Sequence, residues 1–500
     1  MALSLLTTNK NAQNNTQPVP AAMTHFKYPL TNYGLGQFVL DTHADTILYA
    51  TDVKEFFVYE DGVWVKDTDR AILHSKILNC VLELENLAQQ LENQALNAVR
   101  SGEKKEADKL FAEAMEIRGM CLKKQDITPI KHIAEMISLS PQIAVKYEDF
   151  DKNQELFNVE NGTINLVTGE FKEHDPSDML CTKSPVTYDP SADAPVFKKF
   201  LEDVQPDPEM RSYIQRVIGL AALGYTNKQN FIVMYGASGA NGKSTFVNSI
   251  FKVLGGYARK ASQQAFTKRD QSGNLREDIV FLAGARLVSI SETAPGMPLD
   301  EALVKAVTGG DFITVRSLYK ESFSFQPAFL PIVDTNHRPR ITGDDGGIWR
   351  RVQLVPWDVT VPAEKRDDAI GKKLELEASG ILNWIISGAK AFAEKGLCPP
   401  EKVLISTRDF RDESDYTRAF LLEMFHEVDE NTERPWSLDG LFRVWKHYCA
   451  DNDIKAVGAK NSFGQKLVER GVKRIKDSQG RNRYVGLKLK DEYKDLDCMR

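Results

Sequence analysis

The residues 231–245, FIVMYGASGANGKST, set out a chemistry before any fold is known. They fit the phosphate-loop pattern [AG]xxxxGK[ST], with Ala237 in its first position and Gly236 just before it. Small residues at Gly236, Ala237, Gly239 and Gly242, with Asn241 among them, let the backbone turn tightly so that successive N–H groups face an anion. Lys243 is placed to reach the β- and γ-phosphates, Ser244 to offer its hydroxyl to Mg²⁺, and Thr245 completes the nucleotide-binding set. Further on, Glu292 closes the apolar run RLVSIS and Asn336 follows FLPIVDT; Arg350 and Arg351 precede VQLVPW. A carboxylate at a strand end beside the loop can bind Mg²⁺ through water and orient an attacking water. A neutral amide can hydrogen-bond the γ-phosphate without adding repulsive charge. Either arginine could stabilise transition-state charge in a neighbouring subunit.

These side chains need a parallel sheet to bring them together. Four short apolar runs (231–235, the run ending before Glu292, the run ending before Asn336, and the run after Arg351) read as buried strands of one α/β block. Between the second and third lies EALVKAVTGGDFITVRSLYKESFSFQP: a helix ended by Gly309-Gly310, then two strands around a tip at residues 319–322. A basic, aromatic-tipped hairpin of this kind could track a phosphate backbone and stack on a base.

The rest of the chain divides by pattern. Residues 1–23, rich in Asn, Gln, Thr and Ala, read as a disordered tail. Residues 45–190 read as an α+β domain: a hairpin over 48–65, a helical hairpin over 69–125 broken at Ser101-Gly102, and strands around LFNVENGTINLVTGEFKEH. Ser184–Pro195, with three prolines, reads as a linker. A core with its preceding helices is expected over 195–365, a helical connection over 366–430, and a small unit over 431–490 in the order helix, helix, two strands.

Composition excludes several classes. With 42% apolar and 27% charged residues the chain is neither collagen-like nor wholly disordered, and no apolar run is long enough to span a membrane. The six cysteines hold no CxxC pair and the eight histidines complete no zinc spacing. The cytoplasm is the default compartment. Net charge is −6, yet Lys460–Lys490 carries ten basic residues against Glu469 and Asp477. That local +8 falls on what reads as a winged-helix unit, where Lys473, Arg474, Arg481 and Arg483 would meet phosphates.

The order phosphate loop, acidic strand end, KAVTGGD with its hairpin, strand-Asn and Trp-Arg-Arg resembles superfamily 3 DNA helicases. The closest likeness is to the phage and plasmid primase-helicase family shared with large DNA viruses, and it extends over roughly residues 45–490. The resemblance implies a multi-domain α/β protein: an AAA+-like P-loop ATPase core, an α+β N-terminal domain and a C-terminal winged-helix domain. It implies ATP and Mg²⁺ as cofactors, a homo-hexameric ring, and translocation on single-stranded and forked DNA. It assigns phosphate and Mg²⁺ to Lys243 and Ser244, the acid to Glu292, the sensor to Asn336, the finger to Arg350 or Arg351. Lys305, Arg316 and Lys320 belong to its DNA-facing element, with Tyr319 at the tip. The position before Glu292 is Ser291 rather than a second acid, which leaves Glu292 to serve both metal and water.

About 45 residues precede the likeness, too few for a primase domain, and the acid pair Asp149 and Asp151 has no partner motif beyond His174 in a turn. Primer synthesis is therefore expected of a separate primase, working with a replicative polymerase, in a bacterial host if a phage or plasmid encodes the chain. Two other readings stay open. A small-molecule kinase would need a lid and an acceptor pocket, and neither is legible. An initiator using ATP only to assemble on DNA would differ from a motor in not needing turnover.

Overall fold

The computed structural model describes residues 26–226, 228–268, 277–291, 297–315, 323–341, 346–429, 433–452, 454 and 457–499. They form two compact units. The first comprises the described residues up to Lys152 together with His174–Thr182. The second comprises Asn153–Glu173 and everything described from Lys183 onward.

In the first unit, helix α1 (Asn32–His43) leads to strands β1 (Ile47–Ala50), β2 (Glu55–Glu60) and β3 (Val63–Lys66). Helices α2 (Ala71–Arg100), α3 (Lys104–Lys124) and α4 (Ile127–Ser138) follow, then the short β4 (Ala144–Val145). The sheet order is β3-β2-β1-β4, antiparallel except for the β1–β4 pair. Along α2 the buried positions Leu73, Ile77, Leu84, Leu87, Leu91 and Ala95 recur at three-, four- or seven-residue intervals, one stripe of a helix facing α3. Each fully buried leucine or isoleucine there contributes about 1.5–3 kcal/mol. The turn at Ser101-Gly102 reverses the chain, with Gly102 at φ +83°, so the polar helices form a hairpin.

The second unit opens with the meander β5 (Leu156–Val159), β6 (Gly162–Asn165) and β7 (Phe171–Lys172). The sequence groups this segment with the N-terminal domain; here Phe157, Val159, Ile164 and Leu166 are fully buried in the core of the second unit instead. Nor is Ser184–Pro195 a free linker. Ser184 is fully buried and donates to the Val253 carbonyl, and Asn383 donates to the carbonyls of Asp189 and Ala192. Its prolines fix an extended path while its carbonyls are still satisfied by the surface beneath.

Helices α5 (Pro195–Val204) and α6 (Pro208–Leu223) precede strand β8 (Phe231–Tyr235), helix α7 (Lys243–Leu254), strand β9 (Ala258–Ala261) and helix α8 (Glu277–Val280). Strand β10 (Leu287–Ser291), helix α9 (Glu301–Gly309), the hairpin β11 (Ile313–Val315) and β12 (Phe323–Phe325), strand β13 (Leu330–Thr335), helix α10 (Gly346–Trp349) and strand β14 (Val352–Pro356) complete the block. The five-stranded sheet runs β14-β8-β13-β10-β9, parallel throughout, so β8 and β13 are adjacent and flanked on both sides. Their side chains are almost wholly apolar and buried, as a parallel sheet covered on both faces requires.

Helices α11 (Ile370–Leu376) and α12 (Ala378–Lys395) pack back onto this core. A Cβ on Gly219 would sit 2.2 Å from the backbone of Gly388 and Ala389, and one on Gly388 would sit 2.2 Å from the Gln215 carbonyl oxygen. The α6 and α12 backbones therefore meet directly. Helices α13 (Glu401–Ser414) and α14 (Tyr416–Met424) lead to β15 (Phe425–Glu427), β16 (Trp436–Ser437), α15 (Leu438–Asp451), α16 (Lys460–Glu469), β17 (Lys473–Lys476), β18 (Asn482–Val485) and β19 (Leu487–Leu489). The order helix, helix, antiparallel hairpin β17–β18 is the one the sequence leads one to expect.

Candidate functional site

Strand β8 ends at Tyr235, and the loop to α7 carries two left-handed residues, Ala240 (φ +59°) and Gly242 (φ +79°). Segment 357–361 braces this loop. Asn241 donates to the Val359 carbonyl (2.9 Å), the Val361 N–H to the Ala240 carbonyl (3.0 Å), and the Trp357 N–H to the Tyr235 carbonyl (2.7 Å). Gly242 is required twice over: its φ disfavours a side chain, and a Cβ would lie 2.6 Å from Val204 Cγ1 of α5.

Lys243, the first residue of α7, is only 6% exposed. Its Nζ donates to Asn336 Oδ1 at 2.8 Å and to Asn241 Oδ1 at 3.3 Å. Burial pulls its pKa below the ordinary lysine value, against the opposing pull of the Asp334 carboxylate. Ser244 Oγ donates to Asp334 Oδ2 at 2.9 Å. Asp334 and Asn336 come from the carboxyl end of β13, the strand beside β8, because Asp334 pairs in register with Met234 and Thr335 with Tyr235. Gly239–Thr245 and Asp334–His337 line a cavity of about 390 Å³. A cation, a hydroxyl, a carboxylate and an amide thus converge outside the carboxyl ends of two central parallel strands, the usual ligand position in open α/β sheets. An adjoining cleft of about 600 Å³ lies on the other side of the loop, with Val196, Phe200, Val204, Ala240, Val361 and Ile370 among its walls.

The two arginines part company. Arg351 is 6% exposed, and its Nε donates to Thr308 Oγ1 at 3.0 Å while its guanidinium also bonds the Gly347 carbonyl. It ties α9 to the entry of β14. Arg350 is exposed, in the cleft lined by Gly346, Trp349 and Arg411. Asp334 was missed by sequence reasoning; the available signal was a single acid inside the otherwise apolar run FLPIVDT. Glu292, Arg316, Tyr319 and Lys320 lie outside the described residues. Among the described residues no group of three or more His, Cys, Asp and Glu side chains gathers in a metal-binding arrangement, and no helix is long and apolar enough to cross a membrane.

Residues 36–206 match the family described as D5 N terminal like, and residues 234–351 match a family of unknown function (DUF5906). Over 326 residues the chain is 28% identical to the Acanthamoeba polyphaga mimivirus protein named "Putative helicase L207/L206", covering 61% of this chain and 34% of that one. Over 266 residues it is 27% identical to "Putative helicase 022R" of Frog virus 3, covering 49% and 27%. These matches make the chain similar to the D5-like primase-helicase family of phages and large DNA viruses. The chain spans about a quarter to a third of the length of those relatives. The apo NrS-1 C-terminal region aligns over 92% of this chain and all of that one, with a TM-score of 0.44 and 9% identity, a likeness too distant to argue from.

The remaining site candidates fall in two places. Lys305 lies half-buried on α9, before the hairpin β11–β12. Lys473 and Arg474 stand exposed on β17 and Arg481 at the following turn. Arg483 instead donates to Asp477 Oδ2 at 3.0 Å. The Asp477 carboxyl is held below its usual range chiefly by the Arg481 N–H and also by the Arg483 guanidinium. Lys460 pairs with Asp439 and Arg470 with Asp415, so part of the local +8 is neutralised by neighbours outside the segment.

Proposed function

We propose that this chain is the motor of an ATP-dependent replicative DNA helicase, with an AAA+-like P-loop core and a winged-helix-like terminal unit. The observation that carries the reading is the convergence of Lys243, Ser244, Asp334 and Asn336 on one cavity from the start of α7 and the end of β13. Lys243 binds the β- and γ-phosphates, and Asn336, already bonded to Lys243, is within reach of the γ-phosphate. The hard oxygens of Ser244 and Asp334 fit Mg²⁺, which takes few protein ligands beside phosphate oxygens. When bound, Mg²⁺ supplies neutralisation of charge on the phosphates. Glu292 orients the attacking water. The apolar cleft beside Ala240 and Phe200 takes the base of ATP.

Exposed Arg350 is the side chain free to enter a neighbour's site, which makes turnover depend on a homo-hexameric ring. The hairpin β11–β12, with Arg316, Tyr319 and Lys320 in its connecting segment, follows single-stranded DNA, and Lys473, Arg474 and Arg481 hold the backbone of forked DNA. A separate primase and polymerase complete replication in the cytoplasm of the host. The test is ATP hydrolysis with and without single-stranded DNA, beside Lys243→Ala. DNA-stimulated turnover abolished by Lys243→Ala is expected; turnover indifferent to DNA sinks the motor reading in favour of an assembly switch or a kinase.

A further inference from the structure

The second unit contains a carboxylate where an apolar side chain would be cheaper. Asp334 sits in the strand LPIVDT, every residue of which is buried, and is itself 7% exposed. A carboxylate withdrawn from water costs several kcal/mol unless it is paired or binds a cation. Its position is specific. Strand β10 ends at Ser291, and the parallel ladder sets Ser291 directly opposite Asp334. Ser291 is the position immediately before Glu292, where a second acid is absent from this sequence. Partners in register on adjacent parallel strands project to the same face of the sheet. An acid at 334 therefore stands one strand over, at the level where one at 291 would stand, and on the strand next to the phosphate loop.

We propose that Asp334 is the metal-positioning carboxylate of the nucleotide site, supplied by β13 in place of the acid missing at Ser291. The proposal rests on the nucleotide-site reading above. Ser244 Oγ, 2.9 Å from Asp334 Oδ2, is the second oxygen of the pair, and both line the cavity with Lys243 and Asn336. One carboxylate and one hydroxyl, with phosphate oxygens and water making up the rest, is a donor set suited to Mg²⁺. The division of labour then changes: Glu292 is released from the metal and left to the water.

The alternative is a purely structural role, Asp334 serving as acceptor for Ser244 and countercharge for Lys243. Asp334→Asn separates the two, because the amide oxygen still accepts from Ser244 while the charge that a cation needs is gone. The readout is binding of a fluorescent ATP analogue by the full chain, titrated with Mg²⁺, with Mn²⁺ binding in the presence of nucleotide followed by electron paramagnetic resonance. Asp334→Asn is expected to raise the half-saturating Mg²⁺ about 10- to 100-fold, the loss typical of a disturbed metal shell. Affinity for Mg²⁺-free nucleotide should hold or rise, since a negative charge beside the phosphates is removed. Ser291→Asp/Asp334→Asn is expected to bring the half-saturating Mg²⁺ back down.

An unchanged Mg²⁺ requirement in Asp334→Asn, with binding still lost in Lys243→Ala, overturns the role of Asp334 alone. Nucleotide binding indifferent to Lys243→Ala overturns the nucleotide site itself. If Asp334→Asn does not fold, Ser291→Asp in the otherwise unaltered chain carries the test, since Ser291 is exposed. A lower half-saturating Mg²⁺ supports the proposal, and an unchanged or higher one overturns it.

Discussion

Replacing Arg350 and Arg351 by alanine, one at a time, should give two different kinds of damage. Arg351 is buried, with one hydrogen bond to Thr308 Oγ1 and another to the Gly347 carbonyl. Hydrogen bonds from a charged donor are worth about 1.5–3 kcal/mol each, so losing two costs about 3–6 kcal/mol. That loss should show as a lower melting temperature or denaturant midpoint. Arg350 is exposed, and its truncation should change stability by no more than about 0.5 kcal/mol. If it is the trans finger, turnover falls on the order of 10³–10⁵-fold with the fold intact. Mixing adds a geometric check. Arg350→Ala retains its phosphate loop and Lys243→Ala retains its Arg350, so a mixed ring contains some complete interfaces. The two inactive proteins together should recover part of the activity. Full turnover in Arg350→Ala, or no recovery on mixing, would refute the assignment.

Further outcomes are expected elsewhere in the chain. Gly242→Ala, which combines φ +79° with a Cβ 2.6 Å from Val204, should cost about 1–3 kcal/mol and weaken nucleotide binding, as read by melting and by a fluorescent ATP analogue. Lys473→Ala, Arg474→Ala and Arg481→Ala should each lower the salt dependence of DNA binding by about one unit of slope. Arg483→Ala, tied to Asp477, should alter the wing's stability more than the slope, as salt titrations beside thermal melts would show. Arg286→Ala should destabilise the second unit by about 4.5–9 kcal/mol, at about 1.5–3 kcal/mol for each charged hydrogen bond, because this buried guanidinium bonds the carbonyls of Ala222, Gln154 and Leu156; chemical denaturation checks it. Thiol titration at mild alkaline pH should modify exposed Cys398 and Cys498 first. Cys80 and Cys121, whose pKa values burial pushes up to about 12 and about 11, should react only on unfolding: protonated thiols are poor nucleophiles below those values.

What the sequence makes legible depends on how local the constraint is. Phosphate binding forces glycine, lysine and serine into a span of eight residues between a strand and a helix, so that segment can be read without its neighbours. Asn336 is legible for the same reason, as a polar residue at the end of an apolar strand. Asp334 is not, because its meaning depends on which strand lies beside β13 and in what register. The direction of Arg351 was equally hidden. Two consecutive arginines look alike in sequence, and only the packing of α9 against the entry of β14 turns one inward. Strand β9, ARKA, is an edge strand without an apolar run, and its polar composition concealed it. The direct contact of α6 with α12 rests on Gly219 and Gly388, which in sequence are merely two glycines inside helices.

The path of the chain between its two units has a consequence for synthesis. Asn153–Glu173 belongs to the second unit, His174–Thr182 returns to the first, and Lys183 onward is the second again. A ribosome therefore delivers Phe157, Val159, Ile164 and Leu166 before α6, β8 or α12 exists to cover them. Meanwhile the first unit waits for its own last piece, since the Trp64 N–H bonds the Leu180 carbonyl and its indole N–H the Pro176 carbonyl. Segments of the two units leave the ribosome in alternation, and an apolar hairpin stays uncovered for much of translation. For the same reason, no single cut in the chain releases both units whole.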